Sequence, residues 1–263
     1  MVVKGPAPTL EALALRLISA ITPCGHAGLQ KVRVGNPNGD GGYVMIDDFD
    51  AIAGAISIGV GGDVSWDLDI ANRGIDVFQY DHTVAGPPIA HSRFRFHKLG
   101  LGPADAHEFR SLDGMVADIP ARGDLILKVD VEGAEWTALA AAHKRTLERF
   151  SQIVLEIHGP MSGTTSDRLR HLRMCRKLSR SHAVVHVHAN NYAAIESFGR
   201  VLVPGVLEIT YARRSNAPFV RSMELLPTAL DVPNDPSRPE IPMSVILNPW
   251  AWVSARELDT HAP

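Results

Sequence analysis

Lys128-Val129-Asp130-Val131-Glu132-Gly133-Ala134-Glu135-Trp136 decides the reading of this chain. The residues before it, Leu125-Ile126-Leu127, make a short apolar run that reads as a buried strand. The Ala- and Leu-rich residues after it, Ala134 to Phe150, read as a helix. A strand ending in acids and turning into a helix is one unit of an α/β sheet, whose ligands bind at the carboxyl ends of the strands. Asp130 stands at that edge. Glu132 and Glu135 flank the helix start, where the helix dipole favours acids, and for Glu135 that structural role suffices.

Outward in both directions the same alternation repeats. Strands are expected at 55–60, 75–80, 93–99, 124–130, 152–157, 184–188 and 206–211. Helices are expected at 64–73 and, capped by Ser166, from there to about Arg180. The fold expected is α/β and Rossmann-like, a seven-stranded, mostly parallel sheet with helices on both faces. Residues 1–50 supply an N-terminal helix capped by Thr9 and a Gly-rich loop, 51–214 the ligand-binding core, and 215–263 a Pro-rich extension.

The 263 residues carry a net charge of −3, with 45% hydrophobic and 21% charged residues, which excludes a wholly disordered chain and a strongly basic one. No apolar run reaches the roughly 20 residues of a membrane span. With only Cys24 and Cys175 there is no disulfide framework, and a cytoplasmic location is expected. The basic helix with Arg173, Lys177 and Arg180 reads as a solvated face, so neither nucleic acid nor membrane is an expected partner.

The loop Ser57-Ile58-Gly59-Val60-Gly61-Gly62-Asp63 joins the first strand to a helix, and its glycines let the backbone touch a ligand. Asp81 ends the second strand about 20 residues on, the spacing at which an acid accepts hydrogen bonds from a ribose. A dinucleotide fingerprint wants a third glycine where Val64 stands, and Asp63 would repel a pyrophosphate. An acid there suits a cationic ligand such as S-adenosylmethionine.

The segments together resemble FkbM-type S-adenosylmethionine-dependent methyltransferases. The resemblance is carried by Lys128 to Trp136, by Asp40-Gly41-Gly42-Tyr43, by Ser57 to Trp66, by Tyr80-Asp81-His82-Thr83, by Leu155-Glu156-Ile157-His158 and by His186-Val187-His188-Ala189-Asn190-Asn191. It departs from the related pattern at Ser57, where many such enzymes carry an acid, and at His82. It implies methyl transfer from S-adenosylmethionine to a hydroxyl of a sugar or secondary metabolite, a small-molecule or glycan acceptor, with a homo-oligomer possible. Gly59, Gly61, Gly62 and Asp63 would face the methionine part, Asp81 the ribose, and Leu99, Gly100 and Leu101 the adenine. Asp130, His158 and His188 would be catalytic, with Asp40, Tyr43 and Asn190 on the acceptor. A divalent metal on Asp130, Glu156, His158 and His188 is a further option. The alternatives are an NAD-dependent oxidoreductase and a non-catalytic adenosylmethionine binder.

Overall fold

The computed structural model describes residues 8–26, 28–120, 122–215 and 218–248. Its centre is a seven-stranded sheet of β1 (Ile52–Ile58), β2 (Val77–Tyr80), β3 (Phe94–His97), β4 (Asp124–Asp130), β5 (Phe150–His158), β6 (His182–Ala189) and β7 (Val206–Arg213). The spatial order is 6-7-5-4-1-2-3. β3, β2, β1, β4 and β5 run parallel, and β7 is antiparallel to both of its neighbours. Parallel neighbours need long crossovers, usually helical. β1 to β2 crosses through α2 (Ser65–Asn72) and β3 to β4 through α3 (Leu112–Asp118). β4 to β5 uses α4 (Glu135–Ala141) and α5 (Lys144–Leu147), and β5 to β6 uses α6 (Thr165–Leu178). Between β6 and β7 lies only a small hairpin, Ile195–Phe198 with Val201–Pro204, so β7 can return antiparallel.

The two faces of the sheet differ. One buries Leu127, Val129, Leu155 and Ile157 against α1 (Leu10–Ile21), α4 and α6 in a large apolar core. The other buries Ala55, Val77, Ile126 and Val154 against α2 and a hairpin of Lys31–Gly35 with Gly42–Ile46, where Tyr43, Met45 and Trp66 pack. The sequence shows that hairpin only as a Gly/Asn-rich loop. Its tip is tied to the C-terminal segment by Arg33, which donates to Asn36 O, Gly39 O and Leu230 O.

Other expectations need correction. The helix expected over 134–150 stops at Ala141, because Asp113 accepts from the His143 backbone N–H and from the Thr146 hydroxyl and starts a new turn there. Lys177 covers the freed carbonyls of Leu139, Ala140 and Ala142 rather than only facing solvent. Phe150 already belongs to β5. Thr164, not Ser166, caps α6, in a capping box with Asp167. The third strand ends at His97, and Gly100–Gly102 pairs instead with Phe109–Ser111. The Pro-rich extension packs on the core as far as it is described, with a short helix at Met243–Ile246. Trp250 and Trp252 lie outside the described residues. Among the described residues no helix is long and apolar enough to cross a membrane.

Candidate active site

A cavity of about 460 Å³ opens at the carboxyl ends of β1, β2 and β4. The β1–α2 loop forms one wall. Gly59 sits at φ 83°, and a Cβ there would run into the Asp130 backbone carbonyl, so only glycine lets β1 and β4 end this close together. Gly61, at φ 53°, and Gly62 face open space. Asp63 is exposed in the cavity and accepts from the Ser65 N–H.

Asp81 is the clasp of this loop. One carboxylate oxygen accepts from the Val60 and Gly61 N–H groups, each at 3.0 Å. The other accepts from the Thr83 N–H at 2.7 Å and its hydroxyl at 2.6 Å. Burial works to raise its pKa, but these bonds outweigh burial and hold the pKa below the usual carboxylate range. A carboxylate offers about four lone-pair sites, and all are in use. A ribose would therefore share Asp81 with the loop, or displace Thr83.

Gly100 and Leu101 line the far wall, while Leu99 packs against the apolar core instead. His82 and Phe109 meet there at 5.0 Å between ring centres, closing around Gly100. The sequence assigns no role in the cavity to these rings or to Lys128. Lys128 is buried in the cavity wall and donates to Gly59 O at 2.9 Å.

The acids of β4 belong to a row that crosses the sheet. Asp130 pairs in register with Glu156, Glu156 with Glu208, and Glu208 with His188. Residues directly opposite point to the same face, here the one covered by the hairpin and the C-terminal segment. Glu208 was not foreseen. Its sequence signal is an acid between Leu207 and Ile209, the same pattern as Leu155-Glu156-Ile157.

His188 lies apart from the cavity. It is buried, with Nδ1 2.9 Å from Glu208 and Nε2 2.7 Å from Glu240. Burial would lower its pKa, but the two carboxylates raise it to about 10. His186 is likewise held by Asp231 at 2.7 Å. Glu240 and Asp231 come from the C-terminal segment, Glu208 from β7. Asn190 donates to Glu156 at 3.2 Å, and Asn191 ties the chain to Asp235 and Arg238.

His158 ends β5 beside Asp130. Its Nε2 lies 3.4 Å from Glu132, 3.5 Å from Glu156 and 4.0 Å from Asp130, and its Nδ1 is 3.6 Å from Glu135. These are ion-pair distances, and Nδ1 has no close hydrogen bond. Burial opposes charge on the ring, but Glu135 and Glu156 outweigh it and raise the pKa to about 10. Glu135 is fully buried and accepts from the His158 and Gly133 N–H groups, which bears out a structural role. Trp136 donates to His158 O and stacks on His171, which the sequence left as an ordinary residue.

An imidazolium has no lone pair for a proton or a metal. His188, outside the cavity with both ring nitrogens held, has no nitrogen free to act as a base, and at His158 the neighbouring acids favour the protonated ring over a base. Of the four residues expected to offer a mixed nitrogen and oxygen metal set, Asp130, Glu156 and His158 gather, whereas both His188 nitrogens are occupied by Glu208 and Glu240. Asp130 lines the cavity at the end of β4, where it can take a proton. Burial raises its pKa, partly offset by Lys128 and His158. Burial likewise raises Glu156, to about 7, although Glu156 does not line the cavity.

A search of the curated proteins finds no match. Among solved structures, a provisionally assigned RNA methyltransferase of Pyrococcus horikoshii is 12% identical, over 64% of this chain and 77% of that one, with a TM-score of 0.34. A provisionally assigned hemolysin of Streptococcus thermophilus is 10% identical, over 83% and 80%, with a TM-score of 0.37. A provisionally assigned antibiotic-pathway methyltransferase of Anabaena variabilis is 10% identical, over 55% and 59%, with a TM-score of 0.26. The fold assignment stands on the strand order of the sheet rather than on these likenesses. A family model described as the methyltransferase FkbM domain matches residues 108–185, which span α3, β4, α4, α5, β5, α6 and the start of β6. The resemblance of this chain to FkbM-type methyltransferases is thus shown on the stretch that holds Asp130, Glu156 and His158.

Proposed function

We propose that the chain is an S-adenosylmethionine-dependent methyltransferase acting on a hydroxyl of a small-molecule or glycan acceptor. One observation carries the choice of cofactor. The cavity is lined by Asp40, Asp63, Asp81, Asp130 and Glu132, against which stands Lys128, already bonded to Gly59 O. Such a wall repels a pyrophosphate and attracts a ligand that carries an ammonium and a sulfonium. The same wall disfavours an NAD-dependent reading.

Bound S-adenosylmethionine supplies an electrophilic methyl group on a positively charged sulfur. The protein supplies position and a proton acceptor. The Gly59–Asp63 loop, clasped by Asp81, holds one end of the ligand. Gly100, Leu101, His82 and Phe109 bound the other. Asp130, at the edge of β4, would receive the proton of the acceptor hydroxyl when the bound cofactor gives up its methyl group. His158, 4.0 Å away, offsets part of the rise in pKa that burial gives this carboxylate. Tyr43 borders the acceptor side.

The test is incubation with S-adenosylmethionine and a panel of hydroxylated acceptors, following S-adenosylhomocysteine and the methylated product. Product from the native chain, and none from an Asp130→Asn variant that still binds the cofactor, is the expected result. Saturation by the cofactor with no turnover on any acceptor would leave a non-catalytic binder and contradict the reading.

A further inference from the structure

We propose that a groove beside the edge strand β6, between α1 and the end of α6, binds an amphipathic anion, an apolar chain that carries a carboxylate or phosphate head. The groove is a cavity of about 650 Å³, within the size range of small-molecule sites. It shares no lining residue with the active-site cavity, so the inference goes beyond the methyltransferase reading and stands without it. Its floor is apolar, with Leu15, Ile18, Val184 and Leu247. Its rim carries Arg16, Arg176 and Arg214, and no acid lines it among the described residues.

The charge of the rim points to the ligand. The chain has more acids than bases, 29 against 26. Other arginines have found carboxylates, as Arg110 has in Asp105 and Asp118 and Arg213 in Asp124. None of the three rim arginines is in an ion pair among the described residues. Like charges gathered around an apolar floor repel one another, and an anion between them removes that repulsion.

The other polar groups of the groove are already engaged. The Thr22 hydroxyl donates to Ile18 O at 2.8 Å and the Ser179 hydroxyl to Arg176 O at 3.0 Å, so both serve their own helix. Arg214 Nε donates to Ser179 O at 3.0 Å, which anchors that guanidinium at the rim. Recognition therefore falls to the arginines, whose planar fork matches a carboxylate or a phosphate. Leu15 and Ile18, about one turn apart on α1, give the apolar chain a continuous surface.

Cys24 supplies a local reporter. It lines the groove half-buried, whereas Cys175 is buried, so Cys24 is the thiol that a reagent reaches. The experiment uses the full chain, with decanoate and decyl phosphate kept below their micelle concentrations. Each is titrated by calorimetry while the reaction of Cys24 with uncharged dithiodipyridine is followed. The expected result is about one bound anion per chain, with Cys24 shielded over the same concentration range. The tighter of the two probes identifies the head. Acetate and decanol, each carrying one part of the ligand, should bind about tenfold more weakly or less.

Arg16→Gln combined with Arg176→Gln should weaken decanoate about tenfold, with the melting transition retained. Arg145→Gln, on the exposed side of α5, should leave binding unchanged. Equal binding in the double variant and in Arg145→Gln, binding without shielding of Cys24, or no binding at millimolar probe would overturn the proposal. So would a Cys24 already shielded without any probe, by the chain itself or, as concentration rises, by a second copy.

Discussion

β6 carries His182 at one end and His188 at the other, and the two rings are driven in opposite directions. His182, at the rear edge of the sheet, is fully buried. Its Nε2 donates to Phe150 O at 2.9 Å, and its Nδ1 accepts from the Ser181 hydroxyl at 2.9 Å. Burial holds it neutral and lowers its pKa to about 4. His188, at the cleft edge, is as buried but lies between Glu208 and Glu240, and its pKa is raised to about 10. The rear edge is closed by contacts that match, such as Arg213 with Asp124. The cleft edge gathers Asp40, Asp130, Glu156 and Glu208 beyond what its cations balance. Structural ends of a sheet satisfy their polar groups internally, whereas an end that keeps unbalanced charge is built to meet something.

The sharpest way to break this contrast is at Asp130. Asp130→Asn should lower turnover by about two to four orders of magnitude. S-adenosylmethionine affinity should change little, as calorimetry beside the assay would show. Next is Gly59→Ala, which forces a Cβ against the Asp130 carbonyl at a left-handed φ. Melting should show a loss on the order of 1–3 kcal/mol, accompanied by loss of cofactor binding. Asp81→Ala releases the Val60 and Gly61 amides, and the dissociation constant for S-adenosylmethionine should rise about tenfold to a hundredfold.

The smallest effect near neutral pH belongs to the rear edge. The folded-state pKa of His182 is lowered below its unfolded value, so its contribution is fully present above about pH 6.5 and fades as the pH falls toward 4. The slope should be about 1.4 kcal/mol per pH unit within that window. Denaturant titrations of His182→Gln should show a shallower dependence there and leave methyl transfer intact. An unchanged slope would remove His182 from the comparison.

Much of this was legible in the sequence. Apolar runs mark the central strands, because strands buried on both faces read as continuous hydrophobic stretches, while the edge strand β3 shows only as the alternation Phe94-Arg95-Phe96-His97. The loop glycines and Asp130 could be placed at the cleft because a strand end is a local signal. What escaped depends on distant chain. Glu240 and Asp231 meet His188 and His186 across 52 and 45 residues, so the histidines looked free when they are held. The break after Ala141 depends on Asp113, some 30 residues away. Asn234 sat in a Pro-rich stretch with no periodicity, and only the folded chain shows that it reaches Asp40 and Glu208. The hairpin of 31–46 was hidden because its glycine turn, with Gly35 against Gly41 O, resembles any Gly-rich loop.

The most direct test of the acid-lined cleft is isothermal titration of the full chain with S-adenosylmethionine and, separately, with NAD. Micromolar binding of S-adenosylmethionine with NAD silent is the predicted result, since the wall of carboxylates accepts a cation and rejects a pyrophosphate. Binding of NAD, or of neither ligand, would contradict it.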